Sequence, residues 1–372
     1  MLSFSLIGML AAAILVAALS ASPIKVIQRA EAETSYTFCV SGCQYSNLQA
    51  AIDSLPSTGG TIYIKDGIYE LSNTVLLKSN TKLVFSSGAY ITFTGGEKPI
   101  FKGYGVNNVS IKGGSITAKY QGGKAIVFMK SQNIVVDGTK IVLVQGRYSS
   151  AFFCMDCVDV YVSNINAKYG TRLIDIKTST RDASSGLTRN VWIKDNVLAY
   201  SAVEAIKVNW CKDVHIIGNQ VSNTQNNGID IGFNINSEVK YNSLYKTGMN
   251  NAAGIHTDNT RSAVISNNKI DITGSTAIPV YGTKDVQVLS NTIKHAGKAA
   301  ISIIDSEDTN SYIKVKSNYV YAPKENGIYQ SANQDHVEIA YNTLENIPSG
   351  YKAIKIIWSD NGTTSVHDNT VL

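Results

Sequence analysis

The stretch Val214-His215-Ile216-Ile217-Gly218-Asn219-Gln220-Val221 (VHIIGNQV) carries the phrase that decides the fold: an isoleucine or valine, two variable residues, an asparagine, one variable residue and a second aliphatic. Eight copies place asparagines at Asn196, Asn219, Asn242, Asn268, Asn291, Asn318, Asn342 and Asn369, with gaps of 23 to 27 residues. A companion phrase, Gly or Ala followed by Ile, falls between them at Ile206, Ile229, Ile255, Ile278, Ile301, Ile328 and Ile354. Fixed-period self-similarity on this scale is the mark of a chain that coils and stacks on itself.

Within each phrase the apolar residues alternate, as in Ile229-Asp230-Ile231, so successive side chains point to opposite faces of a strand. No interval holds a crossover helix, yet parallel neighbours need a long connection. A parallel β-helix resolves this, because each coil is itself the connection and equivalent residues stack about 4.8 Å apart. The asparagines then form an internal ladder, their amides bonding one another and the turn backbone. Ile111-Lys-Gly-Gly114, Val136-Asp-Gly-Thr139 and Val162-Ser-Asn-Ile165 carry the coil toward the N-terminus, with Ile100, Ile126, Phe152 and Ile174 in the companion column. Ahead of them, Ser46 to Leu55 reads as an amphipathic helix with a Ser or Asn cap, stopped by Pro56. It is expected to cover the open end of the coil.

A capping helix, then GGTIYIKDGIYEL from Gly59 to Leu71, then rungs bearing asparagines, resembles the right-handed parallel β-helix proteins of the pectate lyase superfamily. The resemblance implies an all-β, single-stranded right-handed solenoid over residues 59–372 behind a cap at 33–58. It does not choose among that superfamily's lyases, glycoside hydrolases, epimerases, tailspikes and non-catalytic surface proteins. Polygalacturonases carry N-T-D, D-D and G-H-G on successive rungs, where this chain has Asn226-Asn227-Gly228 and Gly254-Ile255-His256; the D-P-H of alginate epimerases is also missing.

The 372 residues suit one elongated domain, since solenoids grow linearly and escape the usual single-core limit. A net charge of +5, spread along the chain, argues against nucleic acid as a partner and allows an acidic polymer. Residues 2–22 are small and apolar, and residues 1–32 read as a signal peptide or, because no cation precedes the apolar core, an uncleaved anchor. Either reading places the domain at the cell surface or outside the cell. Cys39 and Cys43 are spaced to fasten the N-terminal end; Cys154 and Cys157 read as structural rather than zinc or redox cysteines, and Cys211 is left over.

Outward positions of the Gly/Ala-Ile strands form two columns. The first reads Asp175, Lys207, Asp230, His256, Pro279; the second reads Lys177, Asn209, Gly232, Asp258, Tyr281. Ionisable groups thus gather on four adjacent rungs, close enough to shift one another's protonation. Gly232 leaves a gap beside Asp230, and the polar segment Thr178 to Thr188 supplies a wall. Arg181, Arg172 and Arg261 offer guanidinium groups for sugar carboxylates.

For a lyase or C5-epimerase on a uronate polysaccharide, His256 is the natural base, Lys207 or Arg261 neutralises the carboxylate, and Tyr281 is the acid. Asp175, Lys177, Asn209, Arg181 and Arg261 are the expected substrate contacts. No cofactor is required; Asp175, Asp230 and Asp258 offer oxygens for Ca²⁺, though no dense acidic loop demands it. A hydrolase would instead pair Asp230 with Asp258 as two carboxyl groups. The competing class is a non-catalytic adhesin, which suits the regular rungs and the sequons at Asn108-Val-Ser110 and Asn361-Gly-Thr363. The ending Asn369-Thr-Val-Leu372 leaves a rung to be covered by a second copy in a tail-to-tail dimer, by another chain, or by residues 360–364 folded back.

Overall fold

A computed structural model describes residues 33–146, 148–305, 310–357 and 363–372. The N-terminal segment 1–32, the sequon at Asn361 and most of the segment 360–364 lie outside the described residues. From Thr34 onward the chain is one compact unit.

Every coil visits three parallel sheets in the same order. The first sheet runs from Ser35–Phe38 and Gly60–Ile64 to Thr364–His367, the second from Gly67–Leu71 to Thr370–Val371, and the third from Val75–Leu76 to Ile354–Ile356. Among the described residues they hold 14, 13 and 12 strands, and every strand pairs only with its equivalents one coil before and after. The predicted parallel β-helix is therefore the architecture observed. Strand pairing starts upstream of Gly59, because Ser35–Phe38 lies in register with Thr61 to Ile64 before the chain enters its helix.

That helix, Leu48–Asp53, is capped by Asn47, whose side chain accepts the N–H of Ala50 at 2.9 Å. It buries Leu48, Ala51 and Ile52 on the end of the core. The core is a single column of inward side chains: aromatic in the early coils, where Phe128 packs on Phe152, and aliphatic later. Disulfides join Cys39 to Cys43 and Cys154 to Cys157, while Cys211 is buried and free.

The asparagine ladder occupies the turn between the first and second sheets. Asn219 shows its unit: both its backbone N–H and its Nδ2 donate to Oδ1 of Asn242 at 2.9 Å, and Nδ2 also donates to the carbonyl of Ile193, 2.9 Å away. The same bonds run unbroken from Asn196 to Asn369. An amide can be buried here because the rungs above and below meet both its ends. An outer ladder also forms at the surface, where Asn108 donates to Asn80 and accepts from Asn133, each at 2.8 Å. The Asn108 amide of the sequon is thus engaged within the coil.

At the C-terminal end Thr370–Val371 pairs with Thr343 and Leu344, and Val371 and Leu372 are exposed. Among the described residues, no helix is long and apolar enough to cross a membrane.

Candidate functional site

The outer face of the third sheet carries the two predicted columns in register. Asp175 pairs with Lys207, Lys207 with Asp230 and Asp230 with His256; beside them run Lys177, Asn209, Gly232, Asp258 and Tyr281. The inward partners Ile174, Ile206, Ile229 and Ile255 are completely buried, so the alternation fixes which side chains face outward.

Asp230 is the centre of the arrangement. Its Oδ2 lies 2.7 Å from Lys207 Nζ and its Oδ1 lies 2.8 Å from His256 Nδ1. Burial opposes its ionisation, but the hydrogen bonds and positive charges of His256 and Lys207 outweigh it and hold the carboxyl below its ordinary value. Lys207 is affected reciprocally: burial works against its charge, yet Asp230 and Glu204 raise its pKa. An ionised Asp230 can only accept, so His256 donates to it through Nδ1. The Tyr281 ring is tilted beside the imidazole, with centroids 5.4 Å apart. Burial first, and the charge of Asp258 second, push its hydroxyl above the ordinary phenol value, so it remains a proton donor at neutral pH.

Glu204 is a member of this network that the column pattern does not reveal. It is 4% exposed and bridges Arg172 Nε at 2.7 Å and Lys207 Nζ at 3.5 Å. It sits two residues before Ile206, in a slot that reads Asn227, Ala253 and Thr276 on later coils, so only a comparison of turn positions would single it out.

Two depressions flank the Asp230–His256 pair. One, of about 350 Å³, is lined by Arg172, Asp175, Lys177, Arg181, Lys207 and Trp210. The other, of about 270 Å³, is lined by Asn227, Asn251, Ser275 and Thr276 together with His256 and Tyr281. The segment 178–188 walls the first. Ser179 N–H donates to Asp156 at 2.8 Å, Asp182 caps the short turn Ala183–Ser185, and Arg181 lies over the Trp210 ring, 5.7 Å from its centroid. Trp210 in turn stacks on Phe233, with centroids 5.6 Å apart. Burial raises the pKa of Asp175 despite Lys177, Arg172 and Lys207 around it. Among the described residues, neither Lys177 nor Arg181 forms an ion pair; Lys177 lies over Phe153 instead.

Gly232 does not leave an open gap. A Cβ there would stand 3.2 Å from the amide nitrogen of Asn209, which occupies the space. Arg261 begins a strand of the first sheet, paired with Ile235 and Lys284, and is exposed there rather than gathered with His256. Asp258 accepts a hydrogen bond from Asn259 at 2.9 Å. No group of three or more His, Cys, Asp or Glu side chains among the described residues is arranged to hold a metal. A larger depression of about 900 Å³ opens on the first sheet beside Tyr312, His336 and Thr363, on a different sheet from these columns.

The family model described as "Right handed beta helix region" matches residues 180–344. No curated protein matches the sequence. Among solved structures, the chain is similar to the A-module of a mannuronan C-5 epimerase from Azotobacter vinelandii, with a TM-score of 0.66 and 15% identity over 87% of this chain and 94% of that one. It is similar to the catalytic domain of a GH87 alpha-1,3-glucanase, with a TM-score of 0.67 and 14% identity over 90% and 69%. A surface adhesin of Streptococcus pneumoniae aligns with a TM-score of 0.54 and 15% identity over 87% and 86%. At such identities the likeness is one of fold, and these neighbours include an epimerase, a glycoside hydrolase and an adhesin. The chain is a right-handed parallel β-helix of the pectate lyase-like fold, an architecture shared with carbohydrate-active proteins.

Proposed function

We propose that the protein is a secreted or cell-surface polysaccharide lyase that cleaves an anionic polysaccharide beside a uronate residue. The observation that carries this reading is His256, oriented by ionised Asp230 and flanked on the same sheet face by the protonated hydroxyl of Tyr281. A proton α to a carboxylate is weakly acidic, so its removal needs a positioned base and a cation on the carboxylate. His256 Nε2 takes the C5 proton, and Lys207, held by Asp230 within reach of the same sugar, balances the carboxylate charge. The C5–H electrons form the C4–C5 double bond, the C4–O4 bond breaks, and Tyr281 gives its proton to O4.

Base and acid stand on adjacent rungs of one sheet and so approach the sugar from one side. That suits a syn elimination better than epimerisation, which needs proton transfer on both faces of the ring. A two-carboxylate hydrolase is disfavoured because Asp230 is buried and the hydrogen bonds and charges of His256 and Lys207 lower its pKa, which makes it a poor base toward water.

The test is incubation with a panel of uronate-containing and neutral polysaccharides, reading absorbance of unsaturated products, reducing ends and solvent deuterium at C5. Unsaturated ends are expected. Reducing ends without unsaturation would show a hydrolase, deuterium without cleavage an epimerase, and binding without turnover an adhesin.

A further inference from the structure

The two depressions beside the Asp230–His256 pair differ in charge in a way the elimination itself does not require. On the Lys207 side, four cationic side chains face the single acidic lining residue Asp175. Glu204 engages Arg172 and Lys207, and Asp230 engages Lys207; among the described residues Arg181 forms no ion pair, and Lys177 has only the nearby charge of the buried Asp175, with which it makes no salt bridge. On the Tyr281 side, the lining contains no Lys, Arg, Asp or Glu; it offers the amides of Asn227 and Asn251 and the hydroxyls of Ser275 and Thr276. Part of that polarity is committed to the fold, since Asn227 Oδ1 accepts the N–H of Ala253 at 2.9 Å. Each depression is on the scale of one sugar residue rather than a long chain.

A carboxylate entering the uncharged depression would lose water without gaining a cation, whereas a sugar hydroxyl would find both donors and acceptors. On the Lys207 side the balance reverses: Arg181, braced against Trp210, and Lys177 are left in excess unless an anion arrives. The scissile O4 lies between the two sides, because Tyr281 protonates it while Lys207 holds the uronate whose C4 it leaves.

We infer that the enzyme selects a heteropolysaccharide, cleaving where the O4 of a uronate carries an uncharged sugar, with the acidic sugars bound from Lys207 to Arg181 and the uncharged one beside Ser275 and Thr276. This rests on the lyase reading above and names its substrate class. Homopolyuronates such as polygalacturonate, polymannuronate and polyguluronate would then be poor substrates, because each places a carboxylate in the uncharged depression.

The experiment compares the full-length protein on those three homopolymers with its activity on polymers alternating a uronate with an N-acetylhexosamine or a neutral hexose, all followed by unsaturated product. The expected result is a kcat/KM about tenfold or more higher on a mixed polymer, the size of one missing charge-assisted contact. Ser275→Lys supplies the missing cation from a partly exposed position and should move the ratio toward the homopolymers by a similar factor. Equal or better turnover of a homopolyuronate by the unaltered protein overturns the inference and leaves the lyase reading standing. An unchanged ratio in the Ser275→Lys protein also overturns it. Unsaturated product from none of the polymers overturns both.

Discussion

Asp230 Oδ1 lies 2.8 Å from His256 Nδ1, a contact between residues 26 apart in sequence and directly opposed on neighbouring rungs. The relationship orients the imidazole, because an ionised carboxylate can only accept: Nδ1–H donates to it, and in the neutral ring Nε2 is the nitrogen left to act as base. It also gives Lys207 its counter-charge. Asp230→Asn should therefore damage two things at once. The half-buried Lys207 loses its closest anion, which should cost about 3 kcal/mol, at the lower end for breaking a buried pair. Turnover should fall about 100-fold because the imidazole is no longer oriented as a base. Urea titration and steady-state kinetics measure the two losses separately.

His256→Ala and Tyr281→Phe should each lower kcat by about 10²- to 10⁴-fold with KM little changed, since both groups act on protons in motion rather than on the bound sugar. The double variant should lose far less than the product of the two single effects, because base and acid serve one elimination. Tyr281→Phe should leave the urea midpoint close to that of the unaltered protein, whereas His256→Ala removes a hydrogen bond from the buried Asp230 carboxylate and should cost about 1–3 kcal/mol without unfolding the coil. Full activity of the His256→Ala protein on a confirmed substrate would falsify the assignment of the groove.

The pH dependence follows from the directions of three shifts. Tyr281 is held above its ordinary value of 10.0, so it keeps its proton, and the alkaline limb of kcat/KM is expected above pH 10. Asp230 is depressed below 3.8, so its contribution to stability is complete above that value and is lost as pH falls through the folded-state pKa. Lys207 is raised above 10.5, so its contribution is complete below that value and is lost only as pH climbs beyond it. The pair should therefore add a constant increment to stability across the whole neutral range. A urea midpoint that drifts between pH 5 and pH 9 in the unaltered protein but not in a Lys207→Met protein, which keeps the His256–Asp230 contact, would contradict this.

The fold and the register of the site were readable for one physical reason. A buried asparagine is tolerable only with partners, and a coil of fixed period supplies them, so Asn196 to Asn369 expose the period and with it which residues stack. Knowing that Ile229 and Ile255 face inward is enough to place Asp230 beside His256. What the period does not carry stayed hidden. Glu204 lies in a turn whose residues do not repeat, and the space at Gly232 was visible as a missing side chain while its filling by Asn209 was not. Arg261 sits only three residues past Asp258, but the turn between them carries it onto another sheet. The two depressions depend on how neighbouring turns project, which alternation along a strand does not specify.

The ladder that made the period legible should also be a principal source of stability, and Asn268 is the place to test it. Its Oδ1 accepts both the backbone N–H and the Nδ2 of Asn242, at 2.9 and 3.0 Å, and its own Nδ2 donates to the carbonyl of Val239 and to Oδ1 of Asn291. Asn268 is completely buried. Asn268→Ala would strand two donors on Asn242 and a carbonyl on Val239 where water does not reach, and each stranded group costs about 1–3 kcal/mol. The expected loss is therefore about 3 kcal/mol or more, whereas an exposed amide such as Gln132, which donates to Asp159 at 3.2 Å, should cost well under about 1 kcal/mol. Because coils contact only their neighbours, the loss should be local at first. Amide exchange should accelerate in the coils holding Asn242, Asn268 and Asn291 while the cap around Leu48 to Asp53 keeps its protection. Uniform acceleration along the whole chain would mean that the solenoid unfolds as one unit and that the ladder is not its local support.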